Sequence, residues 1–168
     1  VPGVGLSNAQ IMIVGEALGE DEALLEEPFV GRCGKLLTQM LMDAGITRDE
    51  TYITNVVKCR PVKKDGWKVS NRSPTKEEVC FCKKWLWDEL TSVTPRCILT
   101  LGKVPTSTLI PQLKKTFTLG PLVGVEHRVD YTDAVIIPLY HPSYLMVHAQ
   151  KKIDETIDLF RKIREQYA

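Results

Sequence analysis

The sequence of 168 residues contains no apolar stretch long enough to span a bilayer. Its first residues show no basic segment followed by an apolar one, the pattern of a secretory signal. It has five cysteines, which are too few and too irregularly spaced for a disulfide scaffold. These absences predict a cytoplasmic protein in a reducing compartment, with no membrane partner.

Internal repeats and low-complexity tracts are also absent, so residues 1–168 are predicted to form a single domain. The common nucleotide-cofactor motifs are missing as well. The spacing Gly15-x-x-x-Gly19 is not the G-x-G-x-x-G of a dinucleotide site, and no Lys-Ser or Lys-Thr follows as in a P-loop. Nucleotide-cofactor binding is therefore disfavoured.

The formal net charge is only +1, but the charged residues are segregated along the chain. Residues 1–31 carry six acids and no Lys or Arg, whereas residues 58–76 carry seven bases against Asp65 alone. A local basic segment is a candidate surface for contacting phosphates. The alternative is a solvated loop, which is the more common explanation of a charge run.

Apolar strand-like runs alternate with helical patterns, which favours a parallel sheet covered by helices. The strand candidates are 10–14, 51–57, 96–101 and 134–139. The helix candidates are 34–44, a helix with Thr75 as its N-cap, 106–113 and 150–166. Residues 61–74 contain Pro, Gly, Asn and Ser and are predicted to form an irregular surface loop.

Three of the strand candidates end at a polar side chain with chemical capability, namely Glu16, Asn55 or His141. The carboxyl ends of parallel strands line the ligand crevice of an open α/β sheet, so these three groups could form one site. Each has an alternative explanation. Asn55 could bond neighbouring backbone, His141 could be a capping or core residue, and Glu16 could belong to a solvated acidic loop.

Phe29 lies in a Pro/Gly loop before a predicted helix, where an aromatic ring could stack on a base or pack on the core. Arg32 and free N–H groups at the start of that helix could receive a phosphate. Cys80-x-Cys82 does not have the usual spacing of metal ligands, and on a helix the two side chains point in different directions. The residues therefore predict no metal site and free thiols.

Taken together, the segments resemble the uracil-DNA glycosylase superfamily, and most closely its family 4 branch, which includes phage relatives. The matching segments occur in the family's order and span most of the chain: Gly15-Glu16-Ala17-Leu18-Gly19-Glu20, Pro28-Phe29-Val30-Gly31-Arg32-Cys33-Gly34, Asn55-Val56-Val57-Lys58-Cys59-Arg60-Pro61, Asn71-Arg72-Ser73-Pro74-Thr75 and His141-Pro142-Ser143-Tyr144-Leu145. The resemblance implies a three-layer α/β/α sandwich with a central, mainly parallel four-stranded sheet.

The resemblance also implies an activity: a base is flipped out of DNA and its N-glycosidic bond is hydrolysed, leaving an abasic site for base excision repair. Phe29 would stack on the uracil, Asn55 would read its edge and His141 would contact O2. Glu16 would act on the hydrolytic water. Further substrate contacts would come from Ala17, Gly31 and Ser143, with Ser143 gripping phosphate, and Leu145 would fill the gap left in the duplex.

Two alternatives remain open at this stage: a weak or inactive glycosylase fold that binds DNA or a replication protein, and a glycosylase for another modified base. The first is motivated by Leu18, where family members usually have proline, and by the absence of the family's N-terminal Cys pair. The family usually carries a 4Fe-4S cluster, and only Cys59 and Cys82 match its ligands. No cofactor is predicted for this chain, and a cluster would require a Cys pair upstream.

The expected partner is uracil-containing DNA, with a replication or repair protein as a further possibility. The expected state is a monomer associated with the nucleoid.

Overall fold

A computed structural model describes residues 1–114, 116–148 and 150–168. The strands, numbered in chain order, are β1 (Val4–Gly5), β2 (Ile11–Gly15), β3 (Tyr52–Asn55), β4 (Val62–Asp65), β5 (Lys68–Asn71), β6 (Cys97–Leu101) and β7 (Val135–Leu139). The helices are α1 (Glu20–Leu25), α2 (Arg32–Asp43), α3 (Lys76–Val93), α4 (Lys103–Leu109), α5 (Pro142–Met146) and α6 (Gln150–Tyr167). Short 3₁₀ turns occur at Arg48–Glu50 and Gly120–Leu122.

The central sheet has the order β1-β3-β2-β6-β7. The four predicted strands pair in parallel, and β2, β6 and β7 are buried along their whole length. The predicted count of four is wrong by one, because β1 pairs antiparallel with β3 at the edge. Its two residues are exposed, so they lack the apolar run or alternation that identifies a strand in sequence.

Helices cover both faces of the sheet. Ile11 and Ile13 pack in one apolar cluster with residues of α2, α5 and α6, whereas Met12 and Val14 pack in a second cluster with residues of α3 and α4. This alternation along one strand confirms the α/β/α sandwich. In the parts of the chain that the structure describes, no helix is both long and apolar enough to cross a membrane.

Helix ends follow the predicted local chemistry in most cases. Thr75 caps α3 by accepting the Glu78 backbone N–H, and the Glu78 carboxylate accepts the Thr75 N–H. This confirms the predicted capping box. The helix predicted at 106–113 instead spans Lys103–Leu109, since its N-cap is Gly102 at a positive φ of 95°. Helix α1 was not predicted, because it has no buried residue to give it an apolar stripe.

Residues 61–74 are not an irregular loop throughout. Strands β4 and β5 form a separate hairpin in which Asp65 pairs with Lys68, leaving Gly66 and Trp67 as a two-residue turn. Gly66 has a φ of +60°, as expected for a glycine at the first central position of a hairpin turn. Gly66 at the first of the two turn positions is the sequence signal of this hairpin.

Candidate active site

A cavity of about 360 Å³ opens where β2, β3 and β7 end. The structure brings most of the predicted site residues together around it; they are Glu16, Ala17, Phe29, Asn55, His141 and Ser143. Gly31 and Leu145 are not among the residues that line it. A larger groove of about 810 Å³ lies around Arg96 and Val135, at the opposite end of the strands, and contains none of the predicted residues.

Asn55 is the last residue of β3 and is 3% exposed. Its side-chain Oδ1 is the one buried side-chain polar atom, among the described residues, that has no hydrogen-bond partner. Leaving a buried carbonyl unpaired costs about 1–3 kcal/mol. The fold therefore holds an unpaired, solvent-shielded acceptor on a residue that lines the cavity. The unpaired Oδ1 favours a role for Asn55 in hydrogen-bonding a ligand over the alternative that its side chain bonds neighbouring backbone.

A buried ion pair secures the strand end that carries Asn55. The Lys58 ammonium pairs with Glu89 and donates to the Thr54 hydroxyl at 2.6 Å and to the Asn55 carbonyl oxygen at 2.7 Å. Glu89 also accepts from the Tyr52 hydroxyl at 2.7 Å. Lys58 was counted among the bases of a phosphate-contacting segment. That assignment is wrong, because its side chain is buried in this network.

Gly15 allows the Asn55 amide and the Phe29 ring to lie close to the end of β2. A Cβ atom at this position would lie 2.4 Å from Asn55 Oδ1 and 2.4 Å from Phe29 Cζ. Both distances are far below van der Waals contact, so any larger residue at the end of β2 would displace the two side chains. The glycine is thus part of the cavity's construction.

Phe29 is buried at 6% exposure and adopts a positive φ of 53°, a conformation that few non-glycine residues take. Arg48 holds it there: its guanidinium donates to the Phe29 carbonyl oxygen at 2.5 Å and also to the Pro28 carbonyl oxygen. The Phe29 and His141 rings lie 6.0 Å apart between centroids. The sequence does not predict this role of Arg48. Nothing in its 3₁₀ turn indicates a contact with Pro28 and Phe29, which lie 20 and 19 positions earlier.

His141 is the N-cap of α5, and its Nδ1 accepts the backbone N–H of Ser143 at 3.1 Å. The Ser143 hydroxyl lies 2.8 Å from the same nitrogen. Because Nδ1 acts as an acceptor, a neutral ring carries its proton on Nε2. Burial lowers the pKa of His141 to about 4, so the ring is neutral near pH 7. His141 can therefore be both a capping residue and a functional one, because capping through Nδ1 leaves the proton on Nε2.

Glu16 follows β2 and lines the same cavity. Partial burial raises the pKa of its carboxyl above the ordinary value of 4.5, since the charged form loses hydration. The next residue but one, Leu18, is buried, and its N–H donates to the Cys59 carbonyl oxygen at 3.3 Å. A proline at that position could not make this bond, because proline has no N–H.

The Glu16 pKa leads to a pH prediction. If ionised Glu16 acts on the attacking water, lowering the pH through its raised pKa protonates it, and activity falls below a midpoint above 4.5. Glu16→Gln should lower kcat by about 10²–10⁴-fold and remove this acid limb. The measurement is kcat/KM from pH 4 to 8. If the fall in kcat/KM at low pH is the same in Glu16→Gln as in the wild type, another group causes it.

Gly31 does not offer a free backbone N–H at the start of α2. The Glu22 carboxylate accepts the N–H groups of Val30 and Gly31, at 3.1 and 2.7 Å. An acidic side chain of this protein thus occupies the position at the helix start where a phosphate was predicted. Because Glu22 already accepts this N–H, Gly31 as a substrate contact stays a prediction.

Leu145 lies in the core. Its side chain is 0% exposed and belongs to the cluster that α2 and α6 cover, so it is not available to enter a DNA duplex. The sequence-based assignment of Leu145 as the wedge is therefore wrong for this conformation. The exposed apolar residues of the same segment are Tyr144, Met146 and Val147, and Val147 is the most exposed at 78%.

This difference can be tested with two variants. Leu145→Ala should lower the free energy of unfolding by about 2–5 kcal/mol, the usual cost of such a core truncation. Val147→Ala should leave stability unchanged and slow excision from double-stranded DNA more than from single-stranded DNA, because only a duplex leaves a gap to fill. Thermal unfolding and excision rates on matched substrates measure the two effects. Equal slowing on both substrates would contradict a wedge at Val147.

The cysteines do not form a metal centre in the described ranges. Cys59 is exposed and Cys82 is buried. No group of three or more His, Cys, Asp or Glu side chains that could hold a metal ion is found in the part of the chain that the structure describes. Of the four ligands that a 4Fe-4S cluster needs, Cys59 and Cys82 would be two.

The fold and the cavity define an α/β protein with a site at the strand ends formed by an amide, a neutral imidazole, an aromatic ring and a carboxylate. A sequence model described as the Uracil DNA glycosylase superfamily matches residues 2–166. The chain is 39% identical to a type-4 uracil-DNA glycosylase of Archaeoglobus fulgidus, over 98% of this chain and 80% of the relative. It is 39% identical to that of Sulfurisphaera tokodaii, over 98% and 73%.

A third relative, the type-4 uracil-DNA glycosylase of Thermotoga maritima, is 38% identical over 87% of this chain and 71% of its own length. The chain belongs to the uracil-DNA glycosylase superfamily.

Proposed function

We propose that this protein is a monofunctional uracil-DNA glycosylase that hydrolyses the bond between uracil and deoxyribose. The observation that carries the proposal is the unpaired Asn55 Oδ1 in the cavity wall. Uracil presents an N3–H donor beside its O4 acceptor, and a carboxamide pairs with both at once. Cytosine reverses this pattern at N3 and at its exocyclic group, and it would leave the acceptor without a donor.

The ring contacts follow from the same geometry. Phe29 provides an aromatic face, and its backbone is fixed by Arg48, so a base enters a site that is already formed. Base–aromatic stacking contributes about 1–3 kcal/mol, comparable to the cost of unstacking a base from DNA. Gly15 leaves the space between the ring and the Asn55 amide. Stacking on Phe29 and hydrogen bonding to the Asn55 amide together favour a flipped pyrimidine.

The bond that breaks joins N1 of uracil to C1′ of the sugar. Its electron pair leaves with uracil, and negative charge develops on O2. The Nε2–H of neutral His141 would donate to that oxygen, in a site where exclusion of water strengthens the interaction. The sugar becomes oxocarbenium-like and is attacked by water at C1′, with the water proton passing towards the Glu16 carboxylate. The uracil anion then takes up a proton from water and Glu16 returns its proton to the solvent, so the products are free uracil and an abasic site.

The test is incubation of the purified protein with an end-labelled oligonucleotide that contains one uracil, followed by alkali. Strand cleavage at the uracil position is expected, since abasic sites are alkali-labile. Matched oligonucleotides with cytosine or thymine at that position are the controls and should stay intact. Uncleaved uracil DNA, with a protein shown to be folded, would contradict the proposal. Action as a monomer and cytoplasmic location stay predictions.

A further inference from the structure

The β4–β5 hairpin, residues 62–71, extends away from the rest of the protein. Its two strands contact chiefly each other. A Cβ atom added at Gly66 in the turn would meet no atom within 4 Å, so the tip lies in open space. Trp67, beside Gly66, is fully exposed. The hairpin therefore presents a large aromatic ring to solvent at its tip, and the charges around this ring indicate what it contacts.

The charge of the hairpin indicates what it contacts. Lys63, Lys64 and Lys68 are exposed and face only Asp65 as an acid on the hairpin. No ion pair joins these three lysines to other residues of the described chain, unlike Arg72, which pairs with Glu78. Free lysines around an exposed aromatic ring are the combination that binds nucleic-acid strands, with ammonium groups on phosphates and the ring on a base.

The base of the hairpin joins the candidate active site. Antiparallel register pairs Val62 with Asn71 and Lys64 with Val69, so these four residues share one face. Asn71, at the base of that face, lines the 360 Å³ cavity together with Arg72 and Ser73. Arg60 fixes Asn71 by donating to its Oδ1 at 2.7 Å. A DNA strand that delivers a base to the cavity would therefore pass beside the hairpin.

We propose that the β4–β5 hairpin binds the DNA strand next to the flipped nucleotide, with Trp67 stacking on an unpaired base and the lysines contacting phosphates. The proposal rests on the proposed function, because it extends the path of the DNA that function requires. It predicts that the hairpin contributes to affinity and to KM, whereas the chemical step depends on the cavity.

The first experiment measures binding of a labelled, uracil-free single-stranded oligonucleotide by fluorescence anisotropy. Trp67→Ala should weaken binding by about 5- to 100-fold, and Trp67→Phe should retain most of the affinity because it keeps a stacking ring. Since uracil-free DNA is used, this readout does not depend on base release. Failure of the proposed function and failure of the hairpin proposal are thus distinguishable.

The second experiment measures the salt dependence of the same binding. Lys63→Gln/Lys64→Gln should reduce the magnitude of the log–log salt slope by about 1–2, since two phosphate contacts are lost. The control, Lys114→Gln/Lys162→Gln, makes the same change in net charge at two exposed lysines outside the hairpin. Its slope should stay close to that of the wild type.

The third readout separates affinity from chemistry. On a long uracil oligonucleotide, Trp67→Ala should raise KM with kcat unchanged. All four variants are on the surface and should keep the wild-type unfolding temperature. Binding by Trp67→Ala within twofold of the wild type, or an equal slope change in the lysine control, would overturn the proposal.

Discussion

Replacing Asn55 by leucine should abolish uracil release and at the same time stabilise the folded protein. Leucine has nearly the shape of asparagine but neither accepts nor donates hydrogen bonds. In the free protein Oδ1 has no partner, so removing it relieves the cost of an unpaired buried carbonyl, about 1–3 kcal/mol. In the complex the same change leaves uracil N3–H without an acceptor, and excision should fall by at least about 10²-fold.

Two measurements on one preparation check this: the free energy of unfolding in denaturant and the excision rate on a uracil oligonucleotide. The matched control is Thr54→Val, one residue earlier on β3, which removes a hydroxyl that bonds Lys58 and Glu89. That variant should be destabilised, because it leaves buried charges with fewer partners. A large loss of stability in Asn55→Leu would show that the amide is a structural group.

Replacing His141 by alanine should lower kcat by about 10²–10³-fold with a smaller effect on KM. This is the usual loss when one donor to a developing oxyanion is removed. The donor matters mainly in the transition state, since uracil O2 gains charge only as the glycosidic bond breaks. Because the pKa of His141 is lowered to about 4, activity should not require an imidazolium between pH 6 and 8.

Ser143→Ala is the matched control for His141. It removes the hydroxyl near Nδ1 but keeps the Ser143 backbone N–H, which holds Nδ1 as an acceptor. The tautomer should survive, and the loss in kcat should be smaller than in His141→Ala. Single-turnover rates give the comparison directly. Equal losses in the two variants, or a rise in activity as the pH falls towards 4, would contradict a neutral Nε2–H donor.

The sheet and the larger helices were predictable from the sequence because burial leaves a simple pattern. Strands covered on both faces are continuous apolar runs, as at 135–139, and α3 carries both a capping box and a buried stripe. Elements that bury little have no such pattern. The edge strand at Val4–Gly5, helix α1 and the hairpin around Trp67 are held by backbone pairing and caps, and all three were missed.

The site shows the same division. Glu16, Asn55 and His141 were predictable because each ends a strand, and strand ends of a parallel sheet meet. Arg48 was not, since its role is to bind two carbonyl oxygens of a loop that is distant in sequence. Leu145 was misassigned because sequence cannot tell whether a side chain turns inward, and the Glu22 carboxylate at the Gly31 N–H was missed because the two residues lie nine positions apart.

The central claim is that an unpaired acceptor in the cavity reads the N3–H of uracil. The most direct test compares two single-stranded oligonucleotides that differ only in carrying uracil or 3-methyluracil at one position, with free base measured by chromatography. The account predicts release of uracil and at least about 10²-fold slower release of the methylated base, which has no N3–H. Equal rates for the two bases, or no release of uracil, would contradict it.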